Sequence, residues 1–222
     1  MYRHDLEKKK LGFKITAKQM EILVGTLLGD GHLETQNHGK TYRVKIEHSF
    51  AQKEYVDWLY THFKTWVETA PRMRMRKVKF ERQRETEYAQ YGFQTLCSGS
   101  FRFFAHQFYN SGVKVVPKQI RRWLSPLALA VWFMDDGSIK SKTHRTILLN
   151  TQGFSIKDME RLQKALQEQW GIHTTLRKQG AGSQIYVGSE SIGVFIALIQ
   201  PHILPSLQYK IPTYWLTHLP KK

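Results

Sequence analysis

Apolar and polar positions along this chain switch repeatedly between a helical and a strand period. Thr16-Ala-Lys-Gln19 reads as a helix start with Thr16 as cap, and the apolar run behind it carries the helix to Leu28. Gly29 and Gly31 flank Asp30 and stop it there. In Tyr42-Arg-Val-Lys-Ile-Glu47, Tyr42, Val44 and Ile46 alternate with Arg43, Lys45 and Glu47, an antiparallel strand with one charged face. Tyr55, Val56, Leu59, Phe63, Trp66 and Val67 repeat with a helical period until Pro71. Arg72-Met-Arg-Met-Arg76 alternates again, and the phase shift at Lys77-Val-Lys-Phe80 predicts a β-bulge. Residues 87–97 read as the returning strand and 101–110 as a helix, and Ser111–Pro117 reads as a link. Beyond it the order recurs. A helix opens at Ser125-Pro126 and ends at Asp135-Asp136-Gly137. A strand at 146–150, a helix at 155–170, strands at 174–178 and 184–187, and a helix at 191–199 follow. Helix, two strands, helix, two strands, helix is thus written twice.

The halves share more than outline. Leu23-Val-Gly-Thr-Leu-Leu-Gly-Asp30-Gly31 and Leu129-Ala-Val-Trp-Phe-Met-Asp-Asp136-Gly137 are apolar runs that each end in an acid followed by glycine. They lie about half a chain length apart. An Asp-Gly after one helix is an ordinary cap and turn, but its repetition in matching context suggests that each half delivers one carboxylate to a divalent-cation site. Mg²⁺ suits so few oxygen donors best. The chain divides on this reading into a basic arm (1–15), a first half (16–112) and a second half (113–222), forming one body.

Charge points to the substrate. Thirty-four Lys and Arg face 18 Asp and Glu, a formal net charge of +16 in 222 residues, which fits a polyphosphate partner. The longest apolar stretch, Leu127 to Met134, is too short to span a bilayer, so a membrane partner is not expected. The first ten residues lack the apolar core of a signal peptide. The single Cys97 excludes an internal disulfide and a cysteine zinc site, and suits a reducing, intracellular compartment. Ten histidines show no zinc spacing. Met73 and Met75, with the aromatic stripe of Tyr55, Phe63 and Trp66, read as core.

The two acid-terminated runs, with Trp132-Phe-Met-Asp-Asp-Gly137, Leu148-Leu-Asn-Thr-Gln-Gly-Phe154, Gly39-Lys-Thr-Tyr42 and Tyr209-Lys-Ile-Pro212, resemble the LAGLIDADG homing endonucleases. The likeness is to their single-chain, two-motif form, in the intron-encoded branch to which I-SceI belongs. It implies an α+β fold of two pseudo-symmetric αββαββα halves. The motif helices would pack at the interface, and two curved antiparallel sheets would form a DNA-binding saddle. It implies two or three Mg²⁺ ions shared between Asp30 and Asp136, with backbone carbonyls of Gly29 and Asp135 beside them. It also implies basic residues near the scissile phosphates, which map to Lys114 and Lys210. Glu47 matches a position near the metal waters, and Gln179 is a looser counterpart in the second half.

The basic strands then form the DNA-reading surface. Residues 72–84 hold Arg72, Arg74, Arg76, Lys77, Lys79, Arg82 and Arg84 against one Glu81. Arg43, Lys45, Lys140, Lys142, Arg145, Arg177 and Lys178 extend the surface. Arginines on alternate strand positions can reach guanine edges or phosphates. The expectation is a monomeric, Mg²⁺-dependent enzyme that cuts double-stranded DNA at a long, nearly asymmetric site. The alternative is an intron-splicing maturase that lays the same surface on intron RNA, with or without cleavage. Organelle and prokaryotic cytoplasm are not distinguished.

Overall fold

The computed structural model describes residues 14–79, 85–139, 141 and 144–218. The first repeat contains α1 (Ala17–Leu28), β1 (His32–Glu34), β2 (Arg43–Ser49), α2 (Lys53–Phe63), β3 (Arg72–Lys79), β4 (Glu85–Gln94) and α3 (Arg102–Phe108). A short hairpin, β5 (Tyr109–Asn110) and β6 (Val113–Lys114), and α4 (Ile120–Trp123) lead to the second. That repeat contains α5 (Pro126–Asp136), β7 (Gly137–Ile139), β8 (Ile147–Leu149), α6 (Ile156–Trp170), β9 (Thr174–Gln179), β10 (Gly182–Val187) and α7 (Ile192–Ile199). A 3-10 segment, Pro205–Lys210, and α8 (Thr213–Thr217) follow. Both sheets are antiparallel with the same topology, β1-β2-β4-β3 and β7-β8-β10-β9. The pseudo-symmetric α+β architecture is therefore present element for element.

Local chemistry explains the boundaries. Thr16 Oγ1 accepts from Gln19 N at 3.2 Å while Gln19 Oε1 accepts from Thr16 N at 3.0 Å, a reciprocal capping box. Ser125 Oγ accepts from Ala128 N, with Pro126 in the first helical position. Ser155 caps α6, and Gly171 ends that helix at φ +67°. Two expectations fail. The register of β3 on β4 runs unbroken from Arg72↔Gly92 to Lys79↔Glu85, so there is no bulge among the described residues. Met73 and Met75 are 53% and 55% exposed: they lie on the edge strand β3, whereas α2 packs on β2 and β4. Of the arm, residues 1–13 lie outside the described residues.

The chain forms two compact units. The first comprises residues 14–19 and 30–103 and the second residues 20–29 and 104–218. In the first, Val44, Ile46 and Phe93 meet Tyr55, Val56, Leu59 and Phe63 from α2, with Trp66 and Phe101 4.9 Å apart between ring centroids. In the second, α5 is buried from Leu127 to Asp135; a helix apolar on every side has to be enclosed. Residues 20–28 of α1 belong to the same unit, with Ile22, Leu23, Val24, Leu27 and Leu28 buried, and the helix meets α5 at Gly25 and Gly29. Their approach depends on Gly25. A Cβ there would lie 2.6 Å from the Ala128 carbonyl oxygen and 2.6 Å from Val131 Cβ, so the larger Val131 fills the space that glycine leaves.

Gly25→Ala should therefore destabilise the protein by about 1–3 kcal/mol through overpacking, read as a lower denaturation midpoint. Gly153→Ala is the control, since nothing lies within 4 Å of its added methyl. Equal midpoints for the two variants would contradict the close helix contact.

Candidate active site and basic sheet faces

Asp136 is the last residue of α5. The helix ends there because the backbone becomes extended at Gly137 (ψ 143°), and only glycine fits the turn, since a Cβ would lie 2.4 Å from the Phe133 carbonyl oxygen. Asn150 N donates to Asp136 O at 3.0 Å, fixing the acid beside the end of β8. Within the second unit Asp136, Gly29, Lys114, Asn150 and Gln152 line one open pocket of about 280 Å³. Asp135, the residue before Asp136, is 8% exposed. Its carboxylate occupies the room left by Gly29, where a Cβ would fall 2.5 Å from Asp135 Oδ2.

Two lysines cap the motif helices. Lys114 Nζ donates to the Gly29 carbonyl at 2.7 Å. Lys210 Nζ donates to the Asp135 carbonyl at 2.9 Å and also to that of Met134. An ammonium satisfies carbonyls that have no helical donor and complements the negative helix end. The expected link around Ser111 is the β5–β6 hairpin that delivers Lys114. Ser111 and Gly112 both take positive φ, +49° and +80°, as a two-residue primed turn requires. Val116 beyond it is clamped by α6: its N donates to Asp158 Oδ1, and its carbonyl accepts from Arg161 Nη1 at 2.6 Å. Lys210 ends the 3-10 segment, anchored by buried Leu207 and Ile211.

Asp30, in the first unit, has a half-exposed side chain; His48 Nδ1 lies 3.4 Å from its Oδ2. His48 faces the core side of β2, with its ring edge-on to Tyr55 at 5.1 Å. Glu47 faces the other side. Its carboxylate lies 2.9 Å from Lys45 Nζ, 3.6 Å from Arg74 Nη1 and 3.5 Å from Arg76 Nη2. It crosses over Gly92, where a Cβ would be 2.8 Å from Glu47 Cγ.

Register identifies the counterpart that sequence reading missed. Glu47 faces Gly92, which faces Arg72. In the second sheet Asn150 stands next to Gln184, whose amide nitrogen donates to Asn150 Oδ1, and Gln184 faces Arg177. Asn150, rather than Gln179, therefore occupies the position equivalent to Glu47. Gln179 faces Gly182 at the exposed end of β9. The β1–β2 and β7–β8 connections differ in length, which conceals this equivalence in the linear sequence.

Of the expected DNA-contacting residues, Arg43, Lys45, Arg72, Arg74 and Arg76 share the polar face of the first sheet. Lys77 alternates to the opposite face and pairs with Glu87 at 3.1 Å. Arg177 lies over the Tyr186 ring at 3.4 Å, and Lys178 alternates away from it. Arg145 stacks on Tyr214 at 3.9 Å, and its carbonyl accepts from Trp215 Nε1. Lys79 closes β3, and its side chain lies outside the described residues, as do Arg82, Arg84, Lys140 and Lys142. Glu34 sits among the cations. Burial alone would raise its pKa, but hydrogen bonds from Arg43 and His32 and the charges of Lys45 and Arg43 outweigh it and hold the carboxyl below its usual value.

Residues 20–195 match the LAGLIDADG DNA endonuclease family. The chain is 31% identical over 211 residues to DNA endonuclease I-ChuI of Chlamydomonas applanata, covering 89% of this chain and 95% of that protein. It is 29% identical over 205 residues to cytochrome b mRNA maturase bI2 of Saccharomyces cerevisiae, covering 88% of this chain and 47% of the maturase. The homing endonuclease I-WcaI, solved bound to its DNA recognition sequence, has the same fold, with a TM-score of 0.83 at 22% identity over 93% of this chain and 91% of that one.

Lys114→Met and Lys210→Met should each lower stability by about 1 kcal/mol in the absence of DNA and metal, since each leaves helix-end carbonyls without their cation. Denaturant titration measures this. Unchanged midpoints in both would show that the ammonium–carbonyl contacts contribute nothing to the fold.

Proposed function

Because the chain belongs to the LAGLIDADG DNA endonuclease family, we propose that it is a monomeric, Mg²⁺-dependent homing endonuclease. It would hydrolyse both strands of double-stranded DNA at a long, nearly asymmetric target. The observation that carries this reading is the second-unit pocket in which Asp136, Asn150, Gln152 and the Lys114 ammonium meet the end of a motif helix. Its donors are hard oxygens: a carboxylate, side-chain amides and a backbone carbonyl. That set suits Mg²⁺ and has no sulfur to favour a softer ion. A bound divalent ion would supply Lewis acidity at the scissile phosphate and a more acidic water.

The chain's own residues do the rest. Asp136, fixed by the Asn150 N–H on its carbonyl, stands at the pocket wall, and Asp30 beside His48 is the matching acid of the first unit. The Asn150 side chain, itself held by Gln184, orients a water or phosphate oxygen by hydrogen bonding. Lys114 and Lys210 place positive charge beside the motif-helix ends, where it can stabilise the charge that develops on the phosphate. Lys45, Arg72, Arg74 and Arg76 on one sheet and Arg177 on the other would engage the duplex.

A second reading has its own support. The similarity to a protein named as a maturase favours RNA binding on the same basic faces, with cleavage retained or lost. Among the described residues no helix is long and apolar enough to cross a membrane, and the single cysteine suits a reducing intracellular setting.

The test is incubation with a randomised duplex library in Mg²⁺. Specific double-strand cleavage is expected from the parent protein. Asp30→Asn and Asp136→Asn should abolish cutting while Ca²⁺-supported binding remains. Full cleavage by either variant would remove that acid from the reaction. A parent protein that cuts no duplex but retains an intron RNA would establish the maturase reading instead.

A further inference from the structure

Glu34 stands out on a surface that should attract phosphates. It lies on the polar face of the first sheet, directly opposite Arg43 in the β1–β2 register. Arg43 Nε and Nη2 both donate to Glu34 Oε2, at 3.0 and 2.8 Å. Lys45 Nζ lies 3.6 Å and His32 Nε2 3.0 Å from Oε1. An acid here weakens the attraction of the face for DNA. Its ion pair with Arg43 is half-buried and ties β1 to β2. Its clearest physical effect is orientation.

A guanidinium has two edges that can donate in parallel, the side edge (Nε and Nη2) and the end (Nη1 and Nη2). In Arg43 the side edge is spent on one carboxylate oxygen. Its side chain is only 21% exposed, and the two bonds to Glu34 restrict it further. The end therefore points away from Glu34 with its two parallel donors in a fixed direction, which is the shape that matches O6 and N7 of guanine in a major groove. Holding the arginine before binding also reduces the side-chain entropy lost on contact. Arg72 offers a contrast: among the described residues it makes no ion pair, so its long side chain can follow a phosphate.

The geometry points to Arg43 as a base-reading arginine for guanine, with Glu34 as the residue that positions it. This rests on the proposed DNA-binding activity and names a specificity determinant for it. Glu34 touches no base. It acts through Arg43, and Lys45, a compact point charge, cannot replace the fork.

The experiment uses the full chain in Ca²⁺. A duplex is first recovered from a randomised library with the parent protein. Binding is then measured to that duplex, to each of its single base-pair variants and to an unrelated duplex. Arg43→Lys, which retains the charge, should reduce discrimination at one or two adjacent base pairs by roughly 5- to 150-fold, with little change for the unrelated duplex. Glu34→Ala should relax the same base pairs while tightening binding to the unrelated duplex. Glu34→Gln, which keeps an acceptor oxygen, should restore part of the discrimination. Arg72→Lys should leave base preference unchanged. Thermal melts identify any variant that fails to fold, and Glu34→Gln carries the comparison if Glu34→Ala does. Base preferences that persist in Arg43→Lys, or a Glu34→Ala variant that binds every duplex more tightly by one common factor, would overturn the assignment and leave an ion-pair ladder. A parent protein that recovers no preferred duplex would overturn the DNA reading itself, and this inference with it.

Discussion

The close contact of the two motif helices in the second unit is the constraint on which the candidate site depends. Gly25 admits Val131 and Gly29 admits the Asp135 carboxylate, each into space that a single methyl group would fill. Dense packing leaves little freedom to slide one helix along the other. The register of the contact therefore fixes where both helices end. At those ends lie Asp136, the Gly29 carbonyl and the two capping lysines. The apolar enclosure of α5 carries the energy of this arrangement, while the glycines determine its geometry.

Polar groups complete what packing begins. Asp158 is buried, but it accepts from Ser155, Arg161 and the Val116 N–H, so its charge is compensated. That network fixes the strand that carries Lys114. The two halves repeat topology without repeating side chains. Glu47 with its three cations has Asn150 as counterpart, and His48 beside Asp30 has Thr151, whose hydroxyl donates to the Ser183 carbonyl. The two motif acids thus have different surroundings although they stand at matching places in the fold.

Element order was legible because periodicity and capping agree. Thr16, Ser125 and Ser155 mark helix starts by chemistry that acts within four residues. The acids were legible because a repeated Asp-Gly at a helix end is unusual in context. Features that depend on distant partners were not. The bulge inferred near Lys77 came from side-chain pattern alone, whereas the backbone pairs through that point without interruption. Met73 and Met75 looked like core because their alternation is apolar, but whether a helix covers that end of the sheet is not written in the strand. The Ser111-Gly112 turn lacks the common Asn-Gly signature, and so the hairpin read as a link. Asn150 could have been found only by pairing strands, since loop length hides its match to Glu47.

One chain carrying two complete repeats should suffice for both strands of a duplex. The direct measurement is strand-resolved cleavage of a selected target in Mg²⁺, with protein titrated against duplex under single-turnover conditions and the complex weighed by sedimentation. Scission of both strands at one chain per duplex is expected. A requirement for two chains per duplex, or no scission of either strand when the duplex is fully bound, would contradict it.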